Sequence, residues 1–149
     1  MKKMIVFTGV LAAAVSGSIQ ARAGSLPQIP QKLACKAVGC LPVPDSSCDL
    51  KSYQHMELKR QGKGMDVSWK DGDGSSTDGV LFEQENQVIY DFGVRAHGGD
   101  QYYSFTFKRE ALEDLAAGRV NEVGGEYEDG YDWADGYHSR VSLLMSCTR

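Results

Sequence analysis

Beyond its first two dozen residues this chain has no apolar run near the roughly 20 residues that a membrane-spanning helix requires. Proline is scarce and confined. The four are Pro27, Pro30, Pro42 and Pro44, so the rest of the chain lacks the residue that most often breaks helices and strand ladders. Positive charge is in deficit, with 16 Lys and Arg against 20 Asp and Glu. That balance disfavours nucleic acid and anionic lipid as partners, because both are held by Lys and Arg. No Gly-x-Ser-x-Gly, P-loop or Gly-x-Gly-x-x-Gly occurs. The histidines His55, His97 and His138 have neither His-x-x-x-His nor His-Glu-x-x-His spacing, so zinc has no support.

What is present begins with an export signature. Lys2 and Lys3 precede an apolar run from Met4 to Val15, and Ala21-Arg22-Ala23 closes the segment. A basic start, a short apolar stretch and an Ala-x-Ala ending make a secretory signal peptide. Residues 1–23 are therefore expected to be removed, leaving a periplasmic or secreted chain without membrane insertion. Loss of Lys2, Lys3 and Arg22 leaves 13 of the 16 basic residues against all 20 acids.

Four cysteines in an exported chain, Cys35, Cys40, Cys48 and Cys147, predict two disulfides. The expected pairing is Cys35–Cys40, a local clip, with Cys48–Cys147 tying the start of the folded region to its last strand. The rival pairs Cys40 with Cys48 and Cys35 with Cys147. Residues 24–47 hold all four prolines and read as an extended arm without regular structure. Residues 48–149 read as one globular domain.

Within that domain the pattern is mainly β. Met65, Val67 and Trp69 alternate with Asp66, Ser68 and Lys70, and Tyr103, Phe105 and Phe107 alternate with polar neighbours. Val80 to Gln84 and Val88 to Phe92 read as a hairpin, and Gly93 as a bulge. Ser52 to Lys59, Val120 to Glu128 and Tyr137 to Thr148 read as further strands. Arg109 to Ala117 is the one helical stretch, with Leu112, Leu115 and Ala116 on one face and Gly118 as its stop. The fold class is α+β in this sense: a single antiparallel sheet rolled into a barrel-like or sandwich domain, with one short helix and two disulfides.

The densest chemistry lies from Glu126 to His138. Tyr127, Tyr131, Trp133 and Tyr137 supply contact area, Asp129, Asp132 and Asp135 supply charge, and His138 ends the run. Asp129-Gly130 and Asp135-Gly136 are turn dipeptides, which predicts tight loops, where binding residues tend to lie. Aromatic anchors ringed by carboxylates suit a basic protein partner, and also a carbohydrate that stacks on the rings. A second candidate is Asp71, Asp73 and Asp78 in a Gly-rich loop, oxygen donors of the kind Ca2+ takes. Gly at the sixth position and Glu at the twelfth of an EF-hand are missing, because Ser76 and Phe82 stand there. No other cofactor is expected.

The leading expectation is a non-catalytic exported binding protein, such as an inhibitor of a basic lytic enzyme. Its format of small size, acidity and disulfides is similar to that of periplasmic lysozyme inhibitors, a likeness that carries no residue role. One alternative is a carbohydrate-active or carbohydrate-binding envelope protein, with Asp132 or Asp135 and His138 as an acid–base pair. Another is a structural envelope protein steadied by calcium. Export predicts a mature chain beginning at Gly24. Intact-mass measurement of the protein recovered from the envelope checks this, and a mass retaining Met1 would overturn it.

Overall fold

The computed structural model describes residues 29–62, 64–72, 74, 76–96, 99–134, 136 and 138–149. For Ser76, Val94, Arg95, Ala96 and Trp133 only the backbone is described. The expected signal peptide lies outside the described residues.

The strands are β1 (Lys32–Cys40), β2 (Ser46–Ser47), β3 (Met56–Arg60), β4 (Asp66–Lys70), β5 (Ser76–Glu83), β6 (Gln87–Ala96), β7 (Gly99–Lys108), β8 (Val123–Trp133) and β9 (His138–Thr148). A helix, α1 (Arg109–Ala116), joins β7 to β8. All strands but β2 form one antiparallel sheet in the order β1-β3-β4-β5-β6-β7-β8-β9. β9 pairs back onto β1, so the sheet closes into an eight-stranded barrel. The short β2 runs parallel beside Arg140 and Val141 of β9. No helix among the described residues is long and apolar enough to cross a membrane.

Strand alternation fills the lumen. Leu58, Val67, Trp69, Phe92, Phe105, Phe107, Tyr127, Leu143 and Met145 are buried. Eight strands leave just enough width for side chains to fill the interior. Edge-on packing achieves this, with Phe92 against Phe105 at 85° and Tyr90 against Phe107 at 83°. Each such ring or aliphatic group, taken from water, contributes about 1.5–3 kcal/mol. Outward positions such as Lys36, Lys59, Lys70 and Glu126 are charged and exposed. This is the reverse of the pattern of a barrel that faces lipid.

The helix conforms to expectation. Leu112 and Leu115 are buried against the barrel. Gly118, at φ 73°, donates to Leu115 O, and Arg119 N donates to Asp114 O, which together make a Schellman stop. Its first turn has no side-chain cap. Instead Arg109 ties it to the β5–β6 hairpin, donating to Gln84 O at 2.7 and 2.9 Å and pairing with Glu83 at 3.1 Å.

Several expectations are corrected. The arm proposed for residues 24–47 contains β1, a barrel strand paired with both β3 and β9. All four prolines fall outside β1, so they bound a strand rather than forbid one. Cys35 and Cys40 therefore sit five residues apart on one extended strand, about 16 Å, too far for a bridge. The disulfides are Cys35–Cys147, which are register partners across β1 and β9, and Cys40–Cys48. Asp129-Gly130 is not a turn but the middle of β8, paired with β7 and β9. Glycine is required there because the Tyr102 ring lies across it, and a Cβ would collide with that ring. Gly93 forms no bulge, since β6 stays in register with β7 through it. The first strand after the arm begins at Met56 rather than Ser52.

The two bridges span 112 and 8 residues. On the chain-entropy model their removal costs about 5 and about 2.5 kcal/mol respectively. Urea unfolding of Cys35→Ala/Cys147→Ala is therefore expected to show a clearly larger stability loss than Cys40→Ala/Cys48→Ala.

Candidate functional site

The two ends of the barrel differ. Leu112 and Leu115 of α1 help to seal the end where β8 begins, near Val123. Six residues along β8, about 20 Å away, Asp129 stands at the opposite end. It shares its strand face with buried Tyr127, so it is directed into the barrel mouth. The preceding loop brings Tyr53 over it. Gln54 Nε2 donates to Ala37 O and Leu50 O, Ala37 N donates to Tyr53 O, and the Tyr53 hydroxyl donates to Asp129 Oδ2 at 2.9 Å.

Aromatic rings surround this carboxylate. Tyr53 packs on Tyr127 with centroids 5.1 Å apart, and Trp69 lies 4.4 Å from Tyr103 and 6.3 Å from Tyr127. Burial raises the Asp129 pKa, while hydrogen bonding from Tyr53 and the nearby Tyr127 hydroxyl partly offsets the rise. No basic side chain pairs with Asp129 among the described residues. Burial, then the Asp129 charge, lifts all three phenols, Tyr103 to about 12 and Tyr53 and Tyr127 higher, so they remain neutral. The Tyr127 hydroxyl lies close enough to share this electrostatic coupling. Trp69 Nε1 is buried without a hydrogen-bond partner among the described residues.

The acidic-aromatic run is thus divided by strand alternation. Tyr127, Asp129 and Tyr131 take one face of β8, and Glu128 and Asp132 the other. Outside, Glu128 pairs with Arg140 at 2.8 Å. Asp132 meets His138 Nδ1 at 2.7 Å, with the two side chains 54% and 70% exposed. Asp132 is also the direct neighbour of Asp100 across β7 and β8. Like charges directly opposite on a sheet destabilise it. Asp135, Tyr137 and the Trp133 side chain lie outside the described residues.

The expected Asp132–His138 contact is present, but on an open surface. Grooves of about 490, 570 and 340 Å³ indent the molecule, and neither residue lines any of them. Of the calcium candidates, Asp73 lies outside the described residues. Asp78 accepts from Gln61 Nε2 at 3.3 Å on the outer face of β5, and Asp71 lines the 490 Å³ groove. No three His, Cys, Asp or Glu side chains converge as a metal site among the described residues. Tyr53, Trp69 and Tyr103 were legible only as strand residues. Tyr53 meets Asp129 across 76 residues of sequence, and no local pattern reports such a contact.

The chain matches no protein-family model, and no curated protein or solved structure is significantly similar to it.

A raised carboxyl pKa means that the folded state holds the Asp129 proton more tightly than the unfolded chain does. Ionisation of Asp129 therefore opposes folding, and this penalty fades as pH falls through its folded pKa. Asp129→Asn keeps the acceptor for Tyr53 and removes the charge. It is expected to raise Tm at pH 7, with the difference from wild type closing as pH falls. Thermal melts of both proteins across the acidic range check this.

Proposed function

We propose that the protein is an exported, non-catalytic binding module whose acidic, tyrosine-rimmed barrel end engages a basic protein partner. The observation that carries this reading is Asp129. It is a desolvated carboxylate without a cationic neighbour among the described residues, at a place where its ionisation opposes folding. Groups held at a cost to the fold tend to mark functional sites. On the outer face of the same end, Asp100 and Asp132 are neighbours across the sheet, and carboxylates so placed suit a cationic partner surface.

The lumen is packed with side chains, so recognition falls to the surface rather than to an enclosed ligand. Two disulfides suit an oxidising compartment, the periplasm or the exterior. An inhibitor of a cationic lytic enzyme is the concrete form of this reading. The solvent-exposed Asp132–His138 pair, outside the grooves, gives turnover little shelter.

The test is affinity capture from envelope and secreted proteins with the wild-type chain and a folded Tyr131→Ala/Asp132→Ala/Trp133→Ala variant. A basic protein is expected to be held by the first and lost by the second. Its retention should weaken several-fold as salt rises from about 0.05 to 0.5 M, since exposed charge pairing is screened. Capture indifferent to both salt and the substitutions would overturn the reading.

A further inference from the structure

The two disulfides differ in what guards them. Cys35 and Cys147 are 4% and 0% exposed and lie in register on the barrel seam. Cys40 and Cys48 are both exposed, and they close the loop that runs from the end of β1 through β2. A disulfide opens when a thiolate reaches one of its sulfurs, so access governs the step, and exposed bridges are the labile ones. The structure within the exposed bridge is weakly held. β2 is two residues long and runs parallel to β9, and Ser47 Oγ donates to Arg140 O at 3.4 Å, long for a hydrogen bond. The turn before it, Val43-Pro44-Asp45-Ser46, closes through Ser46 N donating to Val43 O at 3.3 Å. Asp45 there has φ 61°, a conformation that a turn with proline in second place normally gives to glycine.

We propose that Cys40–Cys48 is a thiol–disulfide switch, opened by a dithiol while Cys35–Cys147 stays closed, which frees β2 and the start of the following loop at the Asp129 end of the barrel. One thiolate of the reductant attacks Sγ of Cys40 or Cys48. The S–S bond breaks, a mixed disulfide forms, and the other cysteine leaves as a thiolate that takes up a proton. The second thiolate of the reductant then displaces the remaining cysteine, so two electrons pass to the protein and the reductant becomes a disulfide. A protein dithiol of the Cys-x-x-Cys type is the class of reductant that fits. The barrel persists, because β1 keeps its pairing with β3 and β9 and the buried bridge on the seam. β2 lies beside Arg140 and Val141, two residues from His138, and Cys48 begins the loop that carries Tyr53 to Asp129. The far end of that loop stays pinned by Ala37 N donating to Tyr53 O and Gln54 Nε2 donating to Ala37 O, so release runs over residues 41–52. Control of recognition by this step rests on the reading of this end as the partner surface, whereas the redox step itself does not.

The test equilibrates the folded, oxidised chain with graded dithiothreitol, traps free thiols with N-ethylmaleimide and weighs the labelled peptides. Cys40 and Cys48 are expected to be labelled at dithiothreitol concentrations about tenfold or more below those that label Cys35 and Cys147. Hydrogen exchange in the selectively reduced chain should quicken by about tenfold across residues 41–52 and stay unchanged where β1 pairs with β3. Cys40→Ser/Cys48→Ser should exchange as the reduced chain does and should no longer respond to low dithiothreitol. Selective reduction of the wild-type chain reads the switch without relying on that variant to fold.

Opening of both bridges together, resistance of both until the chain unfolds, or unchanged exchange across residues 41–52 after selective reduction would each overturn the switch. Labelling and exchange use the chain alone, so their failure is distinct from failure of the partner reading. Capture of a basic partner by the oxidised and the selectively reduced chain then reads the coupling. Retention that differs several-fold between the two states is expected, and equal retention would overturn control of the partner surface by this bridge.

Discussion

Closure of the sheet between β1 and β9 is the constraint on which the rest depends. Until the first strand meets the last, both sheet edges present unpaired backbone groups and the aromatic interior lacks a wall. The meeting is long in sequence and therefore entropically costly to form. The Cys35–Cys147 bridge lies on the seam itself, between residues already in register. Cys40–Cys48 then holds the turn that returns along β9 as β2. A chain of this size with eight short strands gains from covalent closure, because no single hairpin is stable alone.

Once closed, the barrel has two unlike ends. The helix covers one with leucines, anchored at its start by Arg109 and stopped at Gly118. The other is covered by a loop whose tyrosine bonds a carboxylate. Apolar burial would serve stability at both ends equally well. Placing Asp129 among Tyr53, Tyr103 and Tyr127 keeps a negative charge in poorly solvated surroundings, and three neutral phenols supply dipoles in place of a cation. This is the part of the fold where packing and charge pull in opposite directions.

The glycines show how both faces of the barrel wall accommodate bulky rings, Gly79 inside and Gly130 outside. Gly130 admits the Tyr102 ring and Gly79 admits Phe92, so bulky neighbours lie over strands that no β-carbon would let them approach. A local rule, Asp-Gly as turn, gave way at Asp129-Gly130 to this tertiary contact. Where no such contact competes the local rules held, as at Gly118 and in the hairpin between β5 and β6.

The sequence by itself determined the class of fold: period-2 alternation, one short amphipathic helix and an even number of cysteines imply a disulfide-bonded antiparallel sheet. It also marked residues 126–138 as unusual. These signals are local, set by the two-residue repeat of a strand and the stop chemistry of a helix, and they survive any arrangement of the elements. Only the tertiary structure decided which cysteines pair, since that follows from β1 being extended and abutting β9. It also decided that Asp129 faces inward and Asp132 outward, because odd spacing on a strand divides a cluster that looks continuous in sequence. Tyr103 and Tyr53, whose phenols couple to Asp129, arrive from β7 and the loop before β3. Barrel closure brings these elements together, and nothing in the residues adjacent to Asp129 records it.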